Sequence, residues 1–184
     1  MNQDLDLDEQ PERPVRAVLA LGSNLGDREA TLRSAVIDLD GFEGVKVRLT
    51  SPVLETGPVG GPEQPDYLNA VVVVDTTLSA LELLAACQQV EEGHGRVRTI
   101  HWGARTLDID IITYDDLVAS SHQLDLPHPM AAERAFVLQP WLELDPQAAL
   151  PGPQGPQRVI DLLPLTEDRD DLRPRPDVVI EVPR

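Results

Sequence analysis

Residues 67–77 read YLNAVVVVDTT, which is a strong signal for a strand. Its β-branched residues predict a strand, and strand alternation places four apolar side chains on one face. These four are Leu68, Ala70, Val72 and Val74. Tyr67 and Asn69 fall on the opposite face. Directly downstream, Ser79 and Glu82 have the spacing of a capping box, which predicts a helix extending to about residue 92.

Outward from this unit, the chain predicts alternating strands and helices. The predicted strands are residues 17–23, 45–56, 67–77 and 106–114, with a return strand at 117–119, and the predicted helices are 27–40, 79–92 and 131–144. The order β-α-β-β-α-β is typical of an α+β, ferredoxin-like sandwich, here with an added hairpin strand and a C-terminal helix. We expect the first two helices on one sheet face. The other face is then left for loops, ligand or water.

Composition limits the possible functions. The 184 residues are 41% hydrophobic, which suffices for one core, and the predicted single domain is 15–165. A net charge of −17 argues against nucleic acid or an anionic membrane as partner. Cys87 is the only cysteine, which excludes an internal disulfide and a cysteine-based metal cluster.

The two ends of the chain differ in composition from the predicted domain. Residues 1–14 are acidic and predict a disordered arm, not a signal peptide, and residues 166–184 predict a polar, proline-rich tail. Apolar runs are too short to span a bilayer. We therefore expect a cytoplasmic protein, with a monomer as the simplest state.

Asp108 and Asp110 are the first candidate for chemistry. In the predicted strand 106–114 they point to one face, while Leu107, Ile109 and Ile111 point into the core. Two carboxylates on one face suit a hard cation such as Mg²⁺ that keeps positions for water and phosphate oxygens. A solvated sheet face is the alternative interpretation of the same pattern.

The segment just before this strand is the second candidate. Residues 93–105 contain Arg96, Arg98 and Arg105 and no acidic residue, in a strongly acidic protein. Such a loop suits an anion clamp for polyphosphate beside a metal site. Its glycines would let it open and close. A surface loop that pairs with acidic neighbours is the alternative.

A third element is the start of the strand at residue 67. Tyr67 and Asn69, which follow a Gly/Pro loop, are suited to stack on and hydrogen-bond a flat heterocycle, although a lone tyrosine taken by itself favours simple packing. The GSNLGD segment at 22–27 joins a strand to a helix, and it favours a tight turn and cap over a phosphate loop.

Several spaced motifs together resemble one family, 6-hydroxymethyl-7,8-dihydropterin pyrophosphokinase. The central motif is HWGARTLDIDII at 101–112. The others occur in order: ALGSNLGD at 20–27, ETGPVGGPEQPDYLNA at 55–70, GRVR at 95–98, and LPHP followed by ERAFVL within 126–138. The resemblance covers about residues 16–145.

The resemblance implies an ATP-dependent transfer of pyrophosphate to the pterin hydroxymethyl group. The products are the pterin diphosphate and AMP, in folate biosynthesis. Asp108 and Asp110 would hold two Mg²⁺ ions that bridge the ATP phosphates, while Arg96 and Arg105 stabilise the transferring group. The implied ATP-binding residues are Gln88, Glu91, Arg98, Ile111, His128 and Arg134. The implied pterin-binding residues are Thr56, Pro58, Val59, Gly60, Tyr67, Asn69, Trp102 and Phe136.

Three positions depart from the family pattern. Met130 stands where many relatives have arginine, Gln123 where some place an arginine on the nucleotide side, and Asp125 where others have threonine. Two other functions share the predicted topology. A non-catalytic, small-molecule-sensing ferredoxin-like domain would need neither the aspartate pair nor the arginine loop. An RNA-recognition domain would need a basic, aromatic sheet face, which the charge opposes.

Overall fold

An antiparallel sheet organises the fold. The computed structural model describes residues 7–58, 60–95 and 106–184. The strands are β1 Val15–Ser23, β2 Val45–Thr50, β3 Leu54–Thr56, β4 Tyr67–Thr76, β5 Asp108–Tyr114, β6 Ala119–Ser120, β7 Asp125–Leu126, β8 Ala149–Leu150, β9 Gln157–Arg158 and β10 Arg173–Pro174. The α-helices in these ranges are α1 Arg28–Asp40, α2 Ala80–Gly93, α3 Ala135–Leu144 and α4 Val159–Leu162.

The strand order of the main sheet is β10-β3-β4-β1-β5, and β2 also pairs with β4. Strand β1 therefore lies between β4 and β5, antiparallel to both. Its register pairs Gly22 with Asn69 on one side and with Asp108 on the other, and it pairs Ala20 with Asp110. Residues paired across strands share a face, so these polar side chains are brought to one end of one sheet face.

Helices α1 and α2 cover the opposite face, as the sequence predicts. Asp27 caps α1 by accepting a hydrogen bond from the Ala30 N–H, and the predicted capping box of Ser79 and Glu82 is present at α2. The apolar stripe of α1 is buried, and Gly41 ends that helix. The core under these helices, which we call the first core, includes the predicted inward-facing residues Leu68, Ala70, Val72, Val74, Leu107, Ile109 and Ile111.

The second sheet face is not open, which corrects our expectation of loops, ligand or water there. Val18, Val71, Val73 and Ile112 form a second core, packed under Leu138 and Trp141 of α3. The signal was present in the sequence. The uninterrupted apolar run at 70–74 implies a strand buried on both faces, whereas a half-exposed strand alternates with polar residues.

Three predicted elements have different boundaries in the structure. The strand predicted at 45–56 is divided into β2 and β3 around Pro52, which has no N–H to donate. Here the Ser51 hydroxyl accepts from the Val71 N–H at 2.8 Å. The predicted return strand at 117–119 is instead β6, which pairs only with β7 in a separate hairpin. The helix predicted at 131–144 begins with the 3₁₀ turn Ala131–Glu133, and α3 then starts at Ala135.

The chain ends contribute to packing more than their composition suggests. Leu7, inside the arm predicted to be disordered, is fully buried in the first core, and Val178 and Ile180 of the predicted polar tail join it. Their few apolar side chains anchor otherwise polar segments. No helix in the described ranges is long and apolar enough to cross a membrane.

The tail also supplies charge pairing at the sheet edge. Strand β10 pairs with β3, and Arg175 Nη1 lies 2.6 Å from Glu55 Oε2. Arg28 of α1 lies 3.4 Å from the other oxygen of Glu55, whose side chain is 18% exposed. The hydrogen bond from Arg175, followed by the contact with Arg28, holds the pKa of Glu55 below its ordinary value.

This contact predicts an acid-sensitive contribution to stability. Because the folded-state pKa is depressed, the contribution is present above about pH 5 and is lost as the pH falls through the folded-state value. We expect Glu55→Gln to lower the free energy of unfolding by about 1 kcal/mol at pH 7, with the difference shrinking toward pH 3. Denaturant titrations across this pH range test it, with the exposed Glu63→Gln as control. A difference that is constant with pH would contradict the assignment.

Candidate active site

Asp108 and Asp110 lie on the same face of β5, as strand alternation predicts. Ile109 between them is buried in the first core, while both aspartates are partly exposed. The side chain of Asp110 is 31% exposed. The two carboxylates are therefore accessible to solvent. They lie at one end of the sheet face, and α3 covers the rest of that face.

Two groups distant in sequence converge on Asp110. Arg134 Nη1, just before α3, lies 3.4 Å from Asp110 Oδ2, and His128 Nε2 lies 3.7 Å from the same oxygen. Arg134 Nη2 also donates to the Met130 sulfur at 3.4 Å. Met130, which departs from the family pattern, thus helps to orient Arg134.

His128 is held in a defined protonation state. Its backbone N–H donates to the Ile112 carbonyl, and its Nδ1 accepts from the Met130 N–H at 3.2 Å. Burial, and then the positive charge of Arg134, lower the pKa of His128 to about 4. The imidazole is therefore neutral at pH 7. Because Nδ1 accepts, the ring proton is on Nε2, which faces Asp110.

Glu91 supports the aspartate pair from behind. Its side chain is 2% exposed, and its Oε1 accepts from the Ile109 backbone N–H at 2.8 Å. This bond holds the backbone between the two aspartates. Because the Glu91 side chain is buried, it contacts the site through β5 and is not exposed at the surface. Gln88, one turn earlier on α2, is half-buried.

Ile111, which the resemblance implies in ATP binding, has a side chain that points away from the aspartate pair. Its side chain is 2% exposed and belongs to the core under α1 and α2. That core is on the sheet face opposite to Asp108 and Asp110. The alternation of strand side chains makes this unavoidable, and only the backbone of Ile111 is shared by both faces.

The predicted heterocycle site lies at the start of β4. Asn69 Nδ2 donates to Thr56 Oγ1 at 2.8 Å, and both side chains are buried. Tyr67 lies over Gly22, because a Cβ added at Gly22 would stand 3.4 Å from the Tyr67 ring and from Asn69 Oδ1. Gly22 was not among the predicted site residues. In the sequence it is the glycine that follows an apolar run and begins the GSNLGD segment.

The loop after β3 is held by Asn24, which was not among the predicted site residues. Asn24, which is buried, donates to Gln64 Oε1 at 2.9 Å and to the Pro65 carbonyl at 3.0 Å. The GSNLGD segment therefore does more than turn the chain and cap α1. It also fixes the Gly/Pro loop, in which Pro58 is half-buried and Gly60 has a φ of 68°.

The first turn of α3 lies over the same sheet face, next to the aspartate pair. Phe136 is half-buried against the second core, and the Arg134 guanidinium lies 5.7 Å from the centre of its ring. Five predicted site residues, namely Val59, Arg96, Arg98, Trp102 and Arg105, lie outside the described residues.

The carboxylates fit the kind of site that Mg²⁺ uses with nucleotides. In the described ranges there is no group of three or more His, Cys, Asp or Glu side chains that would hold a metal ion. Magnesium bound with phosphates commonly takes only one or two carboxylates from the protein and keeps several waters. Asp108 and Asp110, partly exposed on one strand face, match that requirement.

Comparison with known proteins identifies the family. Residues 18–146 match the family model of 7,8-dihydro-6-hydroxymethylpterin-pyrophosphokinase (HPPK). The chain is 44% identical over 171 residues to the 2-amino-4-hydroxy-6-hydroxymethyldihydropteridine pyrophosphokinase of Mycobacterium tuberculosis, covering 86% of this chain and 89% of that protein. The Bacillus subtilis protein of the same name is 44% identical over 128 residues, covering 70% of this chain and 77% of its own length.

Some relatives are much longer. The chain is 41% identical to the folic acid synthesis protein fol1 of Schizosaccharomyces pombe, covering 80% of this chain but only 20% of fol1. A Plasmodium falciparum HPPK-DHPS with pteroate superposes with a TM-score of 0.67 at 14% identity, over 93% of this chain and 48% of that one. At that identity the superposition supports the fold alone. The family match and the relatives of similar length show that the chain belongs to the 7,8-dihydro-6-hydroxymethylpterin-pyrophosphokinase family.

Proposed function

We propose that this protein transfers pyrophosphate from ATP to the hydroxymethyl group of 6-hydroxymethyl-7,8-dihydropterin, a step of folate biosynthesis. The observation that carries the proposal is the convergence of Asp108, Asp110, His128 and Arg134 on the sheet face that also presents Tyr67 and Asn69. The names of the Mycobacterium tuberculosis and Bacillus subtilis relatives, both pyrophosphokinases of this pterin, support it.

The phosphate side of the site begins at Arg134 and His128. Arg134 is a permanent cation, and neutral His128 offers an Nε2–H, so both are donors for phosphate oxygens. Arg96, Arg98 and Arg105 are proposed to add the positive charge that the transferring group needs. Gln88 is proposed to line the nucleotide side of the site, and Glu91 to act there by fixing the Ile109 backbone in β5.

Asp108 and Asp110 are the residues that would hold Mg²⁺. We propose that two ions bind there. Bound magnesium supplies charge neutralisation for the ATP phosphates. The aspartates themselves are kept apart from the first core by strand alternation, and Glu91 fixes the backbone between them. The fixed backbone presets the positions of the two carboxylates, which lowers the reorganisation needed for transfer.

The pterin is proposed to lie between Tyr67 and Phe136, one from the sheet and one from α3. The Asn69 amide and the Thr56 hydroxyl, which are bonded to each other, would bond the edge of the ring. The backbone of Pro58, Val59 and Gly60 would complete the edge contacts, and Trp102 would close over the site. Stacking on two rings selects a flat heterocycle of this size.

The reaction itself requires positioning more than covalent participation by the protein. The hydroxymethyl oxygen attacks the β-phosphorus in line, the bond from that phosphorus to the α-phosphate oxygen breaks, and AMP leaves. The protein holds the pterin oxygen and the polyphosphate at the same end of the sheet. A non-catalytic sensing domain would have no need for the aspartate pair beside Arg134 and His128.

The finer architecture is part of the same proposal. We propose a ferredoxin-like arrangement for β1 to β5 with α1 and α2, supported by the antiparallel order β4-β1-β5 with β2 and β3 both on β4. The division into one domain at 15–165 with two appended ends, the cytoplasmic location and the monomeric state remain proposals.

The proposal predicts a specific product. A mixture of the protein, ATP, Mg²⁺ and the reduced pterin alcohol should yield AMP and pterin diphosphate in equal amounts, as measured by chromatography. Asp108→Asn and Asp110→Asn should each lower turnover by about 100-fold or more, because each loses a metal ligand without loss of volume. The matched control is Asp116→Asn, at an exposed position just after β5. Release of ADP, or full activity in either folded variant, would contradict the proposal.

The two stacking residues should affect one substrate only. Tyr67→Leu and Phe136→Leu keep apolar volume but remove a ring, so each should weaken pterin binding by about 2- to 12-fold. ATP affinity should stay within about 2-fold. Calorimetric titration of each ligand measures this, with Phe42→Leu, which packs against the first core, as the aromatic control. Loss of ATP affinity with unchanged pterin affinity would place the ring on the nucleotide side.

A further inference from the structure

The C-terminal segment crosses the sheet edge from one face to the other. We define residues 168–180 as the C-terminal strap. The strap begins beside α3, on the sheet face that presents Asp108 and Asp110. It then pairs with β3 through β10 and ends with Val178 and Ile180 in the first core. It lies outside residues 18–146, which match the family model. Its contacts are therefore additional to those of the matched segment.

The strap first contacts the helix that bears Phe136. Both carboxylate oxygens of Asp168 accept from the Ala135 N–H, at 2.9 and 3.1 Å. The residue preceding α3, Arg134, gives that helix no side-chain cap. Asp168 therefore satisfies an N-terminal N–H that the helix itself leaves without a cap, and its charge suits the positive end of the helix dipole.

The strap next contacts the loop on the other side of the site. Asp171 Oδ2 accepts from the Gly57 N–H at 2.7 Å, directly after Thr56. A Cβ at Gly57 would stand 3.2 Å from that oxygen, so the glycine permits the close approach. At the far end of the same loop, Arg173 Nη2 lies 2.8 Å from Asp66 Oδ2, one residue before Tyr67. The strap thus holds both ends of the loop at 57–66.

We propose that Asp168 and Asp171 are positioning residues that set the separation between the two walls of the pterin site. Asp168 directly precedes the short 3₁₀ turn Arg169–Asp171, and Asp171 ends it. A single compact element therefore ties the start of α3 to the loop after β3. One wall carries Phe136, and the other carries Thr56 and Tyr67. The identity of the ligand as a pterin rests on the proposed function.

The test compares three substitutions in the same turn. Asp168→Ala and Asp171→Ala each remove one tie, whereas Asp170→Ala alters a neighbouring side chain that is 96% exposed. Pterin affinity is measured by calorimetry with a saturating non-hydrolysable ATP analogue, and ATP affinity is measured separately. We expect each tie variant to weaken pterin binding by about 5-fold and to leave ATP affinity within about 2-fold, with no change for Asp170→Ala.

Rescue separates positioning from a general loss of structure. Asp168→Asn and Asp171→Asn keep an acceptor oxygen, so both should restore most of the pterin affinity. Hydrogen exchange supplies an independent check, because Asp171→Ala should speed exchange of the Gly57 amide and Asp168→Ala that of the Ala135 amide. This check does not depend on which ligand is bound.

Three outcomes would overturn the inference. The first is unchanged pterin affinity in both folded alanine variants. The second is an equal loss of pterin and ATP affinity that the asparagine variants do not restore. The third is unchanged exchange at both amides. A wild-type protein that binds no pterin, but whose Gly57 and Ala135 amides respond as predicted, would instead overturn the proposed function and leave the ties themselves established.

Discussion

The pairing of β1 with β4 on one side and with β5 on the other is the constraint on which the site depends. This register sets Gly22 between Asn69 and Asp108. Because glycine has no side chain, the Tyr67 ring and the Asn69 amide approach the β1 backbone closely at Gly22, near the end of that strand. A shift of one residue would turn the aspartates into the core under α1 and α2, where unpaired carboxylates are costly.

The same sheet face changes from apolar to polar along its length. Val71, Val73 and Ile112 lie under α3, whereas Asn69, Asp108 and Asp110 lie toward the strand ends beyond it. Helix α3 therefore has two roles. Its Leu138 and Trp141 close the second core, and its first turn places Phe136 beside the polar end. The second core fixes the helix on the sheet, which in turn fixes the spacing of the site.

Local patterns in the sequence predicted the parts of the fold that depend on neighbouring residues. The capping box at Ser79, the buried stripe of α1 and the outward aspartates of β5 all follow from periodicity. Pro52 accounts for the division between β2 and β3, and the apolar run at 70–74 accounts for burial on both faces, whereas we expected one continuous strand and an open second face. Position within the alternation also indicates that the side chain of Ile111 points inward.

Long-range contacts were beyond such reasoning. The Asp171 carboxylate meets Gly57, and Arg175 meets Glu55, across more than a hundred residues of sequence. No periodicity encodes such a pairing, because nothing in the sequence around either partner points to the other. His128 and Arg134 are an intermediate case. The family motif selected both, but only the fold shows that they converge on one oxygen of Asp110 and that His128 is neutral there.

A crystal structure with Mg²⁺, a non-hydrolysable ATP analogue and 6-hydroxymethyl-7,8-dihydropterin would show directly whether this sheet face binds both substrates. We expect metal density in contact with Asp108 and Asp110, and the pterin ring between Tyr67 and Phe136 with its edge on Asn69. We also expect the polyphosphate beside Arg134 and His128. A pterin bound elsewhere, or metal density that contacts neither aspartate, would contradict the account.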